Sequence, residues 1–234
     1  MNKKIVLTVI IIGTFLTGVV VGKSHYISYS FFKSLIESTP TTKKKSTFSS
    51  FYIHKKSLYE TLVSNSTYKI AMLGDSITDW GEWNELFTRN DIINRGISGD
   101  GTDGVLKRLN GINSSVSKVF IMIGINDLGK GKSVDYVFDN YKKIVTILKQ
   151  KNIQPVMQST LFVDPVKIHN RKNSDVEELN NKLKKYAIEN DLLYIDINVK
   201  LSKDKKLRSD YSYDGLHLNG EGYQAWKEVI EPYL

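Results

Sequence analysis

Ser76 stands in Gly74-Asp75-Ser76-Ile77, directly after the short apolar run Ile70-Ala71-Met72-Leu73. A serine hydroxyl becomes a nucleophile when a base takes its proton, and the base needs an orienting carboxylate. The histidines are His25, His54, His169 and His217, and only His217 has an acid at close, fixed spacing, in Asp214-Gly215-Leu216-His217. Three residues across a glycine-containing turn can bring both side chains to one side of the backbone. The chemistry to expect is acyl transfer, in which His217 takes the Ser76 proton and Asp214 holds the imidazole. A plainer reading stays open at this point: Asp75 and Ser76 as helix caps, and Asp214 and His217 as a surface pair.

Acyl transfer also needs donors aimed at a developing oxyanion, typically worth about 3 kcal/mol each. The buried-strand pattern Lys118 to Ile123 ends in Gly124-Ile125-Asn126-Asp127, which puts the Asn126 amide at the same sheet edge as Ser76. A third strand-to-loop transition, Asn94-Arg95-Gly96-Ile97-Ser98-Gly99-Asp100-Gly101, contains Gly96, whose small size allows the backbone to approach closely. Ser76, at the start of a helix, brings a backbone N–H of its own.

These segments, in this order, resemble the four sequence blocks of the SGNH (GDSL-type) hydrolases. The likeness covers residues 66–234. The Asn94–Asp100 text is most similar to the branch of platelet-activating-factor acetylhydrolase catalytic subunits and bacterial carbohydrate O-acetylesterases. The resemblance implies Ser76 as nucleophile, Asp214 as orienter and His217 as base, with an oxyanion hole of the Ser76 N–H, Gly96 N–H and Asn126 side chain. It implies no cofactor, and no histidine, aspartate or glutamate cluster in the sequence has metal-site spacing. Two positions depart from the pattern: Ile77, where many members carry leucine, and Gly101, where this branch often has a hydroxyl residue. Asp75 and Asp127, within the catalytic blocks, and Phe162 and Val163, in the loop after a strand, are the candidates to border the substrate.

The elements that must position these residues follow from alternating patterns. Val134, Val137, Tyr141, Ile144, Val145 and Leu148 recur at steps of three and four, the signature of an amphipathic helix. Further elements are a strand at 154–158, a helix at 176–188, a strand at 192–197 and a final helix from about Gly220 to Ile230. The alternation predicts an α/β fold, a three-layer α/β/α sandwich with a central parallel sheet. A leading helix over 51–65 is expected to pack on the domain through Phe51, Tyr52, Leu58, Leu62 and Val63.

Composition bounds the rest. The chain has 234 residues and no cysteine, which excludes disulfides and thiolate chemistry. The net charge of +8 is concentrated before residue 66, where nine lysines face two glutamates, so the remainder is nearly neutral. That distribution gives no basic face for nucleic acid. Ile5 to Val21 carries no charge over seventeen residues, roughly 26 Å as a helix, enough to cross a thin bilayer. Lys3 and Lys4 favour an amino terminus in the cytoplasm, and no Ala-x-Ala cleavage signal follows. The expected organisation is a cytoplasmic tail (1–4), a transmembrane signal-anchor (5–22), a basic polar linker (23–50), the leading helix and an extracytoplasmic hydrolase domain (66–234). Cleavage of the segment as a signal peptide would instead release the protein. The substrates to expect are short acyl esters of envelope carbohydrate. A lysophospholipid or other lipid ester, acyl transfer to a sugar hydroxyl, and a non-catalytic surface module are the alternatives.

Overall fold

Strand β1 (Ile70–Gly74) is buried at every position, and a strand of that kind needs cover on both faces. The computed structural model describes residues 48–63 and 67–234. Five parallel strands form the central sheet in the order β2-β1-β3-β4-β5: β1, β2 (Ile92–Gly96), β3 (Lys118–Met122), β4 (Gln154–Gln158) and β5 (Leu193–Ile195). A short antiparallel pair, β6 (Ser202–Lys203) and β7 (Lys206–Leu207), stands apart from it. The expected parallel sheet with flanking helices is therefore observed.

Nine α-helices accompany these strands among the described residues: α1 (Ser50–Leu62), α2 (Ser76–Asp79), α3 (Trp83–Phe87), α4 (Thr102–Leu106), α5 (Ile125–Gly129), α6 (Val134–Gln150), α7 (Asn173–Glu189), α8 (Asn198–Leu201) and α9 (Gly220–Ile230). Helix α6 starts where the Ser133 hydroxyl accepts the Tyr136 N–H, and its three-and-four stripe of Val137, Tyr141, Ile144, Val145 and Leu148 is fully buried. It packs against α4 and α7, whereas α9 packs against α3 and α8. In that second group Trp83 meets Trp226 edge-on at 4.9 Å, and the Trp226 indole donates to Gln158 Oε1 at 2.7 Å. The hydrogen bond lets the largest side chain enter the core without an unpaired N–H.

Strand order reverses direction between β1 and β3, and in an open parallel sheet the crevice beyond such a switch point is where ligands bind. Ser76 immediately follows β1 and Asn126 follows β3, so the fold sets both at that crevice.

Helix α1 docks differently from the expectation. Ser49 accepts the Tyr52 N–H and starts it one residue early, and it ends at Leu62. Tyr52 and Tyr59, seven residues apart, are its buried residues, while Phe51, Leu58 and Leu62 remain about half exposed. The buried hydroxyls donate to the carbonyls of Gly104 (2.8 Å) and Gly96 (2.7 Å). Tyrosine wins the buried stripe because those carbonyls need donors. The expected tail and membrane segment, with most of the linker, lie outside the described residues. Among the described residues, no helix is long and apolar enough to cross a membrane.

Candidate active site

Asp75 sits between β1 and α2, where its Oδ1 accepts the Ile77 N–H at 3.0 Å. Ser76 is thereby the first residue of the helix, and its own N–H has no intrahelical acceptor. Its Oγ lies 2.9 Å from His217 Nε2, and His217 Nδ1 lies 2.6 Å from Asp214 Oδ2. With the ring proton on Nδ1 facing the carboxylate, Nε2 is free to accept the serine proton. The other carboxylate oxygen builds the loop, since Asp214 Oδ1 accepts the N–H groups of Leu216 (2.9 Å) and His217 (2.8 Å). Partial burial opposes ionisation of Asp214, but the bonds from the His217 ring and these two N–H groups outweigh it and bring the carboxyl down to about 2. A permanent anion is thus held against the imidazole.

The Asn126 side chain has a defined orientation. Its Nδ2 donates to the Asp100 carbonyl at 2.9 Å, and its Oδ1 accepts from Arg171 Nη2 at 3.1 Å. One amide N–H is left over. Gly96 is not the donor expected from the sequence: its N–H is taken by Asn94 Oδ1 at 2.8 Å. The need for glycine there is steric, because a Cβ would fall 2.2 Å from the Asp79 nitrogen. Three residues on, Asp100 N–H donates to the Ile97 carbonyl and Gly99 takes φ +77°, the geometry of position i+2 in a type II turn. Gly99 is exposed, and its N–H has no partner among the described residues. The turn is tied to the site on both sides: Ser98 accepts from the Trp80 indole at 3.2 Å, and Asp100 accepts from Asn126.

The four candidates for lining a substrate pocket are all buried instead. Asp75 has no exposure and Val163 none, while Asp127 and Phe162 show 5% and 9%. Asp127 accepts the N–H and hydroxyl of Thr102, at 2.9 and 3.1 Å, and so pins the start of α4. Phe162 and Val163 belong to the main core. A loop that follows a sheet strand can serve the interior as readily as the crevice, and here it does.

Several residues that frame the site escaped sequence reasoning. Asn94 Nδ2 donates to the carbonyls of Thr78, Asp79 and Gly81, which fastens the end of α2 to β2. Arg108 forms a fully buried pair with Asp100 at 2.7 Å, and also donates to the carbonyls of Arg95 and Gly74 at the strand ends. Trp80 stacks on the His217 ring with centroids 4.1 Å apart and a 22° angle, yet remains 53% exposed. Asn94 lay inside a motif already singled out. Arg108, eight residues beyond Asp100, lay outside that motif, and Trp80 carried no local signal because its ring partner His217 is distant in sequence.

Residues 72–225 match the GDSL-like lipase/acylhydrolase family, and the chain belongs to that family. Among solved structures it resembles one described provisionally as a platelet activating factor from Streptococcus pneumonia, at 25% identity and TM-score 0.73, over 88% of this chain and 99% of that one. An acetyl xylan esterase shares the fold at 21% identity and TM-score 0.60, over 71% of this chain and 100% of that one. A curated relative, an N-acylneuraminate cytidylyltransferase of Streptococcus agalactiae serotype III, is 34% identical over 115 residues, 48% of this chain. The matched segment spans only 27% of that relative's length.

Proposed function

We propose that this chain is a serine esterase that removes short acyl groups from carbohydrate by a two-step mechanism. The observation that carries the reading is the pair of contacts Ser76–His217 (2.9 Å) and His217–Asp214 (2.6 Å) at the crevice of the sheet. His217 Nε2 takes the Ser76 proton as Oγ attacks the ester carbonyl. The resulting oxyanion is met by the Ser76 N–H, the free Asn126 amide N–H and the Gly99 N–H. His217 then protonates the departing alkoxide, takes a proton from water as the water attacks the acyl-enzyme, and returns it to Ser76 Oγ as the carboxylic acid leaves.

The preference for a sugar as the alcohol half rests on Trp80, an exposed indole beside the base whose N–H is already anchored to Ser98. A flat aromatic held in one orientation suits the apolar C–H face of a pyranose. The names of two similar proteins, an acetyl xylan esterase and an N-acylneuraminate enzyme, also carry sugars. Residues 5–22 serve as a membrane anchor in this reading, with the domain outside the cell and close to envelope glycans.

Hydrolysis of p-nitrophenyl esters from C2 to C16 tests the reading. Activity should peak at the shortest chains and vanish in Ser76→Ala, with a nearly equal loss in His217→Ala. Full activity in Ser76→Ala would refute the serine mechanism, and a maximum at C12–C16 would assign the site to lipid esters.

A further inference from the structure

Arg171 lies in the polar, basic stretch Lys167 to Lys172. Its guanidinium is turned inward. Nε donates to the Ile125 carbonyl at 3.3 Å, Nη2 to Asn126 Oδ1 at 3.1 Å and Nη1 to Asn170 Oδ1 at 2.9 Å. The stem and head lie over Gly129, where a Cβ would come 2.9 Å from Nε, so α5 leaves room for the arginine. One side chain thus grips both the backbone and the side chain at the start of α5.

The consequence concerns which end of Asn126 faces the reaction. An asparagine amide presents a donor or an acceptor with almost the same shape, and a half-turn about its last bond exchanges them. An oxygen turned toward the oxyanion would repel the charge it is meant to hold. The Asp100 carbonyl favours the donor orientation by accepting from Nδ2, and Arg171 favours it again by donating to Oδ1. We infer that Arg171 is a positioning residue for the oxyanion hole, locking the Asn126 amide with its N–H toward the reacting carbonyl. The inference rests on the serine-esterase reading and gives Arg171 no direct contact with substrate. A planar fork can hold the Ile125 and Asn126 oxygens together, and a lysine ammonium cannot reproduce that grip.

Steady-state kinetics on p-nitrophenyl acetate with the full chain test it, using Ser76→Ala, Asn126→Ala, Arg171→Met, Arg171→Lys and the Asn126→Ala/Arg171→Met pair. Arg171→Met should lower kcat roughly 10- to 100-fold with KM within about twofold. Arg171→Lys, which keeps the charge, should be nearly as poor. In the Asn126→Ala background the arginine substitution should cost less than about threefold, because the group it positions is gone. Equal losses in both backgrounds would overturn the inference, as would a loss confined to KM, which is the result expected of an anchor for substrate charge. Full rescue by lysine would overturn it too, since charge alone would then suffice. A fall in melting temperature that matches the activity loss in both arginine variants would make the role structural and likewise overturn it. Ser76→Ala and Asn126→Ala report separately on the underlying mechanism, whose failure would show as activity retained in those two variants.

Discussion

Beside Ser76, the Asp75 carboxyl is wholly buried, and its Oδ2 has no partner among the described residues. Burial pushes it from its ordinary 3.8 up to about 7, reinforced by the negative Asp100 and Asp127 and opposed by the Ile77 N–H and by Arg171. Below about pH 4 both folded and unfolded chains hold this proton, and no stability difference arises. Between there and pH 7 the unfolded chain releases it while the folded chain keeps it, so stability falls as pH rises. Above 7 the full cost is present, on the order of 4 kcal/mol at most from a shift of this size. Asp75→Asn keeps an acceptor for the Ile77 N–H and removes the charge. Thermal melts should show it more stable than the parent at pH 8 and little different at pH 4. A gain of equal size at both pH values would mean that ionisation of Asp75 is not the cause.

At the scale of elements, α1 is a brace on the catalytic loops. The Tyr59 hydroxyl donates to the Gly96 carbonyl, and its ring receives the Arg95 guanidinium at 4.5 Å. Gly96 in turn lies against Asp79 at the end of α2, the helix that opens with Ser76. Tyr59→Phe keeps the ring and orphans a buried carbonyl, which should cost about 1–3 kcal/mol. Tyr59→Ala removes the ring as well and should cost roughly 3–5 kcal/mol. Urea unfolding followed by fluorescence measures both. The two substitutions costing the same would deny the ring any packing role.

For the whole molecule, the basic segment before α1 should be separable from the rest, whereas α1 itself, held to the domain through Tyr52 and Tyr59, should not. A chain starting at residue 46 retains α1, together with Phe48, which stacks on Tyr52 at 4.3 Å. It should be soluble and as active as the full chain on p-nitrophenyl acetate. A chain starting at residue 67 loses Tyr52 and Tyr59, exposes the Gly96 and Gly104 carbonyls, and should be markedly less stable. The anchor proposal adds an expectation in cells. External protease should remove the domain from intact cells and leave a small membrane-bound fragment. Protection of the domain until lysis would reverse the proposed orientation, and its complete release into the medium would make residues 5–22 a signal peptide.

The residues whose partners are near in sequence could be read directly. Gly-Asp-Ser after an apolar run, and Asp214 three positions before His217, are local patterns tied to local geometry, and the structure brings all three side chains together. The α6 stripe was equally legible, because a 3.6-residue period is a property of the chain alone. Contacts between distant segments decided what remained. Gly96 and Gly99 look alike as text, but the carbonyls of Thr78, Asp79 and Gly81 hold the Asn94 amide so that its Oδ1 takes the N–H of one, and a type II turn presents the N–H of the other. Phe162 and Val163 had the composition of a pocket wall and became core, because burial depends on what packs over a loop. Helix α1 offered apolar residues around much of its circumference, and buried the tyrosines that could satisfy two glycine carbonyls. Nothing near Arg171 in the sequence points to the site, and only the approach of α5, some 45 residues away in the chain, turned it toward Asn126. Local sequence determined which groups could react and which segments would be strand or helix. Tertiary packing decided which donors stayed free, because a backbone N–H is available to a ligand only when no neighbour in the fold has already claimed it.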